Sequence, residues 1–321
     1  STESLALGYY FDAKKSFVTT GKLPADVNPK TLPTNMKEKM TVLAYSNSLG
    51  AVAKEPVSGF RMIGYDDVYA IEYMYEQLMA YWKHDGKVDI YQAFEKAQSS
   101  YASLMATCEE FDKNLLKETE AAGGKEYAEL CALSYRQAIA AHKLVQDKKG
   151  NLLFLSKENN SNGCINTVDV TYPSAPLFLY YNPELLKGML TPIFHYSESG
   201  RWTKPFPAHD LGTYPIANGQ VYGGDMPVEE GGNMLVLTAA IAYAEGNANY
   251  AKQHWDVLTV WADYLIEAGM DPENQLCTDD FAGHFAHNAN LSIKAIMGIA
   301  GYGKLAEMLG KADVAKKYLA I

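Results

Sequence analysis

The stretch AHDLGTYPIANGQVYGGDMPVEEGGN, residues 208–233, decides how this chain is read. It carries His209, Asp210, Asp225 and the adjacent acids Glu229 and Glu230 among glycines and two prolines, and helical periodicity resumes on either side of it. Glu229 and Glu230 open the apolar run EEGGNMLVLTAAIAYAEG. Acids in a first turn are ordinary helix chemistry. Gly231 and Gly232, however, each weaken the helix they begin by about 1 kcal/mol relative to Ala. Glycine there points to a close backbone approach or to a ligand beside the acids.

Working outward, further helices are predicted at 66–83, 89–118, 124–146, 174–197, 248–269 and 287–310, with a last one opening at Ala312. Residues 66–83 place Val68, Ile71, Tyr75, Leu78 and Trp82 on one face behind an Asp cap. Residues 1–65 differ. SLALGYYFD, MTVLAYSNSLGAV and FRMIGYDD are short and rich in aromatic and β-branched residues, so they are predicted strands that pack on something else or belong to a sheet whose other strands are absent. Residues 66–321 would form a second, helical domain. Its connections alternate between short turns and long loops at 147–173, 198–228 and 270–286. Helical hairpins with that alternation place every long loop on one face, and such loops commonly carry function. An open helical solenoid and hairpins closed into an α/α toroid both fit, and the long loops fit the toroid better; the expected fold is mainly α, an (α/α)6-type six-hairpin toroid. The chain stops inside KADVAKKYLAI, so the ring is expected to be incomplete, with this chain packing against absent β-domain and C-terminal helices.

Composition narrows the chemistry. A net charge of −10 lacks the clustered basic residues of a nucleic-acid binder. No apolar run approaches the roughly 18 residues that span a bilayer, and STESLALGYY lacks the basic start of an export signal. Cys108, Cys131, Cys164 and Cys277 fit neither C-x-x-C nor zinc spacing. G-x-S-x-G, Ser-x-x-Lys with its partner motifs, and the phosphate-loop glycines are absent.

What the three loops do carry is carboxylate, His, Asn and Tyr. The first holds Lys157, Glu158, Asn159, Asn162, Asp169 and Tyr172, and its LLFLS and INTVDVTY segments suggest a β-hairpin. The second adds Tyr214 to the residues quoted above. The third holds Asp279, Asp280, His284, His287, Asn288 and Asn290. An Asp-Asp pair followed by two His suggests a metal, but the H-E-x-x-H arrangement is missing, and the sequence assigns neither a metal nor a cofactor. The set suits general acid/base hydrolysis of a small polar substrate.

Three long motifs then resemble one family. CALSYRQAIAAHKLVQDKKGNLLFLSKENNSNGCINTVDVTYPSAPLFLYYNPELLKGML, HDLGTYP with NGQVYGGDMPVEEGGNMLVLTAAIA, and LCTDDFAGHFAHNANLSIKAI are similar to the glutaminase A family, over about Tyr65 to Ile321. The resemblance implies an extracellular or periplasmic amidohydrolase converting L-glutamine to L-glutamate and ammonia, on a fold shared with six-hairpin glycosidases. It implies that residues 1–65 are the end of a β-rich domain, and it carries over Lys157, Glu158, Asn159, Asp169, His209, Asp210, Glu229, Glu230, Asp279 and Asp280. From the residue types, Glu230 or Asp280 is expected as general base and Glu229 or Asp169 as acid, with Asp210 also catalytic. His209, Asn159, Tyr214, Lys157, Glu158, Tyr172, Asp279 and His287 are expected to position substrate. Two other readings stay open: a glycoside hydrolase with Trp202, Tyr214 and Tyr222 as sugar platforms, and a non-catalytic helical module.

Overall fold

The structure, a computed structural model, describes residues 3–32, 34–51 and 53–321. It divides into two compact units, the first ending at Ile63 and the second running from Gly64 to Ile321. In the first, β1 (Glu3–Tyr9) pairs antiparallel with β2 (Thr41–Asn47), from Glu3 opposite Asn47 to Tyr9 opposite Thr41. Between them lies α1 (Tyr10–Thr20), which the sequence reading missed. Its YFDAKKSFVTT run closes at Gly21, whose φ of 69° supplies the left-handed terminus that stops a helix. FRMIGYDD, expected as a strand, has no regular structure.

The second unit opens with a correction. The expected helix at 66–83 is instead a β-hairpin, β3 (Ile71–Tyr73) with β4 (Glu76–Leu78), followed by a short 3-10 turn. Ile71, Tyr73 and Leu78 are buried while Val68 and Tyr75 are exposed, so the apolar period is two rather than 3.6. Met74 and Tyr75 make the two-residue turn, both at positive φ (48° and 69°). No Asn-Gly or Asp-Gly announces such a turn. Tertiary contacts support it instead: the Tyr75 N–H donates to Asn218 Oδ1 at 2.7 Å, and β3 pairs in parallel with a short strand further along the chain.

Next come α2 (Ile90–Gly123), started by a reciprocal Asp89–Gln92 capping box, and α3 (Lys125–Ala140), which packs against it. The helix expected to run to 146 ends at Ala140. HKLVQ is β5 (His142–Gln146), paired antiparallel with β6 (Leu152–Ser156). LLFLS is therefore a strand as expected, but its partner precedes it, and VDVTY opens a helix. That helix, α4 (Val168–Tyr181), contains Pro173 and Pro176, and only Asn182 separates it from α5 (Pro183–Glu198). The long second loop follows, with β7 (Ile216–Ala217), the parallel partner of β3. Then come α6 (Pro227–Glu245), α7 (Asn249–Gln253), α8 (Trp255–Ala268), α9 (Ala289–Met308) and α10 (Ala312–Leu319). The chain is mainly α, with short strands and no closed sheet among the described residues. None of its described helices is long and apolar enough to cross a membrane.

Apolar side chains from α4, α5, α6, α8 and α9 form the core, with Phe178, Phe194, Leu235, Trp261 and Tyr302 almost wholly enclosed. Gly232 finds its explanation here, while a Cβ on Gly231 would press on Leu265 of α8 at 3.2 Å. A Cβ on Gly232 would lie 2.5 Å from Lys294 Cγ on α9, and one on Gly298 would lie 3.3 Å from Gly232 Cα. The glycines let α6 and α9 cross closely. Gly232→Ala is expected to lower stability by about 1–2 kcal/mol, because overpacking outweighs the better helix propensity of Ala. Urea unfolding checks this, and a neutral or stabilising result would show that the crossing has slack.

His142 gives a pH prediction. Its ring stacks on Phe154 (centroids 4.3 Å apart), and Nδ1 lies 2.6 Å from the Ala138 carbonyl, to which it donates. Nε2 has no partner, and burial pushes the imidazole down to about 4. The unfolded chain, with an ordinary His value near 6.5, therefore binds this proton more readily than the folded one. The neutral ring's contribution is complete above pH 6.5 and falls away towards pH 4, by about 3 kcal/mol. His142→Phe should flatten unfolding free energy against pH over that window relative to wild type. An unchanged slope would exclude His142 as the source.

Candidate active site

Hydrogen bonds draw the first and second long loops together. The Ile165 N–H donates to the Gly212 carbonyl (2.8 Å), the Leu211 N–H to the Ile165 carbonyl (2.9 Å) and the Val168 N–H to the His209 carbonyl (2.9 Å). Gly212 sits at φ 134°, and any Cβ there would fall 2.1 Å from the Ile216 carbonyl oxygen, so only glycine fits this turn. The third loop joins through Gln275, whose Oε1 accepts the Val228 N–H at 3.0 Å at the start of α6.

This arrangement puts three residues from three elements around one point. Asp169 lies in the first turn of α4, Glu230 in the first turn of α6, and His209 in the loop between α5 and α6. Each offers one polar atom, all within 4.8 Å of one another, and His209 Nε2 is 3.6 Å from Asp169 Oδ1. Both carboxylates sit at helix N-termini, where the dipole favours negative charge.

Asp210 holds the imidazole from behind. It is fully buried, and its carboxylate accepts the N–H groups of Gly212 (2.8 Å), Val221 (3.0 Å) and Tyr222 (3.1 Å). His209 Nδ1 lies 3.0 Å from its Oδ2. With Nδ1 donating there, Nε2 is turned towards Asp169 and Glu230. The Tyr222 ring stacks on the imidazole at 4.1 Å.

Glu229 is also fully enclosed, and its Oε1 pairs with Lys294 of α9 and accepts from the Thr278 hydroxyl. Asn233 Nδ2 bridges the two acids, 3.2 Å from Glu229 Oε1 and 3.2 Å from Glu230 Oε2. Lys294 Nζ also lies 4.3 Å from the Tyr172 ring centre. Burial, and after it the carboxylates of Asp169 and Glu229, push Glu230 well above the usual carboxylate range, against the pull of Asn233 and Lys294. Asp169 is raised by burial, with His209 opposing. Several acceptors here have no donor among the described residues: Asp169 Oδ1, Glu229 Oε2, Glu230 Oε1 and Asn233 Oδ1.

Other expected residues stand at the margin or elsewhere. Burial, and after it the carboxylates of Asp169, Asp280 and Glu158, raise the Tyr222 phenol, so two acids of the first loop and one of the third act on this part of the site. Asp279 and Asp280 are themselves exposed, which does not suit Asp280 to be a buried base. His287 is exposed and pairs with Asp271 at 2.5 Å. Asn159 is exposed. Lys157 lies over the Tyr214 ring at 4.4 Å, and the Tyr214 hydroxyl donates to the Ala70 carbonyl at 3.2 Å.

Sequence reasoning missed Lys294, Thr278 and Asn233. Lys294 left a signal, as the one charged residue between Ala289 and Gly303 in an otherwise apolar helix. Thr278 and Asn233 left none.

Fold and site together define a helical-hairpin protein with a buried acid–histidine centre on its loop face. Residues 124–321 match the glutaminase A six helical-hairpin domain, and the chain belongs to that family. Residues 1–118 match a domain of unknown function, whose boundary falls inside α2 rather than at the division after Ile63. Glutaminase A of Aspergillus oryzae is 35% identical over 320 residues, 97% of this chain and 45% of that protein. A protein of Arthroderma benhamiae named "Probable glutaminase" is 29% identical over 262 residues, 63% of this chain and 30% of its own length. The chain thus spans less than half the length of both relatives.

Proposed function

We propose that the protein is an amidohydrolase that releases ammonia from L-glutamine. The observation that carries this reading is the meeting of Asp169, His209 and Glu230 around one point, backed by Asp210. A water placed there attacks the amide carbon. Its proton passes through the carboxylates to the departing nitrogen, so that amide and water become carboxylate and ammonium. Glu229, held by Lys294 and Thr278, fixes the floor of the site. The carboxylates of Glu158 and Asp280, whose charge is felt at Tyr222 beside His209, suit the ammonium group of an amino acid.

The platforms of the glycosidase reading are in part taken up by protein groups. Trp202 packs against Tyr196 and Phe206 and donates its indole N–H to the Phe206 carbonyl, Tyr214 lies under Lys157, and Tyr222 gives one face to His209. The family name borne by the relatives supports the amide reading for this chain.

The test is incubation of the intact protein with L-glutamine, following ammonia and glutamate together. One-to-one release is expected, and Asp210→Asn should cut it by about 100-fold by loosening the His209 orientation. Absence of ammonia, together with cleavage of a glycoside, would replace this reading with the glycosidase one.

A further inference from the structure

We propose that Asp169, His209 and Glu230 hold a divalent transition-type cation, zinc or manganese in chemistry. The inference rests on the hydrolase reading for its purpose but not for its geometry. In a coordination sphere with metal–ligand distances of about 2.0–2.2 Å, neighbouring ligand atoms are about 3 Å apart and opposite ones about 4 Å. The three side chains present atoms within 4.8 Å of one another, with Nε2 of His209 3.6 Å from Asp169 Oδ1, so a small inward closure completes the set. The imidazole is also mounted as metal-bound histidines are, with its other nitrogen on the buried carboxylate of Asp210.

Unsatisfied acceptors supply the independent observation. Glu230 and Asn233 are completely enclosed, yet Glu230 Oε1 and Asn233 Oδ1 have no donor, and Asp169 Oδ1 has none either. Buried acceptors in native proteins are ordinarily matched by a donor, a water or an ion. Charge points to an ion. Asp169, Asp210, Glu229 and Glu230 are four carboxyls, and Lys294 is the one lysine that pairs with any of them among the described residues. A dication offsets most of the remainder. One imidazole nitrogen with two carboxylates suits zinc or manganese better than calcium, which prefers an all-oxygen shell of six to eight ligands. These ligands lie far apart in the chain, so no local spacing motif marks them.

Such a cation would polarise the amide oxygen and favour loss of a proton from the attacking water. The new C–O bond forms as the C–N bond breaks. The proton from water reaches the nitrogen through a carboxylate oxygen that is not bound to the ion.

Calorimetric titration of chelator-treated intact protein with Zn²⁺ and with Mn²⁺ tests the proposal, with metal content of untreated protein read by mass spectrometry. One equivalent should bind, at least 10-fold more weakly in His209→Ala and in Glu230→Gln, with His287→Ala as an unaffected control at an exposed histidine. Circular dichroism confirms that each variant is folded, and Glu230→Gln preserves side-chain shape. Failure of the wild type to bind either ion, or binding unchanged in both site variants, overturns the proposal. Stoichiometric binding without glutamine hydrolysis would sustain the cation site and reject the amidohydrolase reading. Ammonia release by protein that binds neither ion would do the opposite.

Discussion

Glu230→Gln is expected to leave the protein folded, to make the cation-free protein no less stable, and to reduce ammonia release by about 1,000-fold. The loss follows from position. Glu230 is one of three groups that meet at one point, the proposed reaction centre, and a positioned proton-transfer group contributes about 10²–10⁴-fold. The stability side follows from burial. Its carboxyl is wholly enclosed, raised by burial and by two neighbouring acids, and one of its oxygens has no donor. A neutral amide of the same shape removes that burden and can still accept from Asn233 Nδ2. Opposite movements of stability and activity identify a site residue kept for function. Parallel urea unfolding and ammonia assays separate the cases. A variant that unfolds early would mark Glu230 as structural, and full activity would remove it from the mechanism.

Lys294→Met should show the largest loss of stability, about 3–5 kcal/mol. Its ammonium pairs with Glu229, which is 0% exposed, and removing one partner of an enclosed pair strands the other charge. Met fits the apolar surroundings of α9, so lost packing adds little. Pairing it with Glu229→Gln should restore most of the loss, since the amide oxygen can keep the Thr278 and Asn233 donors. Non-additivity of the two substitutions is thus the diagnostic. If Lys294→Met alone costs under about 1 kcal/mol, solvent reaches Glu229 and the floor of the site is not dry.

The sequence made legible whatever follows a helical period or a cap. The 227–245 helix with its paired acids, the last helices and the clustering of polar residues in three loops are all visible in it. Ile71–Leu78 was not, because a hairpin whose turn is Met-Tyr carries no turn chemistry of its own and depends on Asn218 and β7. The alternation in INTVDVTY suggests a strand, while the prolines that follow Asp169 put it just before a helix start; α4 in fact begins at Val168 and takes Asp169 into its first turn. Asp280 and His287 show the limit of reading chemistry from residue type: both lie on a functional-looking loop, yet exposure and the Asp271 pair keep them from the buried centre. Lys294 shows the converse, a residue on a core helix whose role appears only when α9 meets α6.

The most direct measurement is a crystal structure of the intact Glu230→Gln variant soaked with L-glutamine. The side-chain amide of the ligand should lie against Asp169 and His209, with its ammonium towards Glu158 and Tyr222. Glutamine seated away from Asp169 and His209, or a cleft that admits a sugar and excludes glutamine, would contradict it.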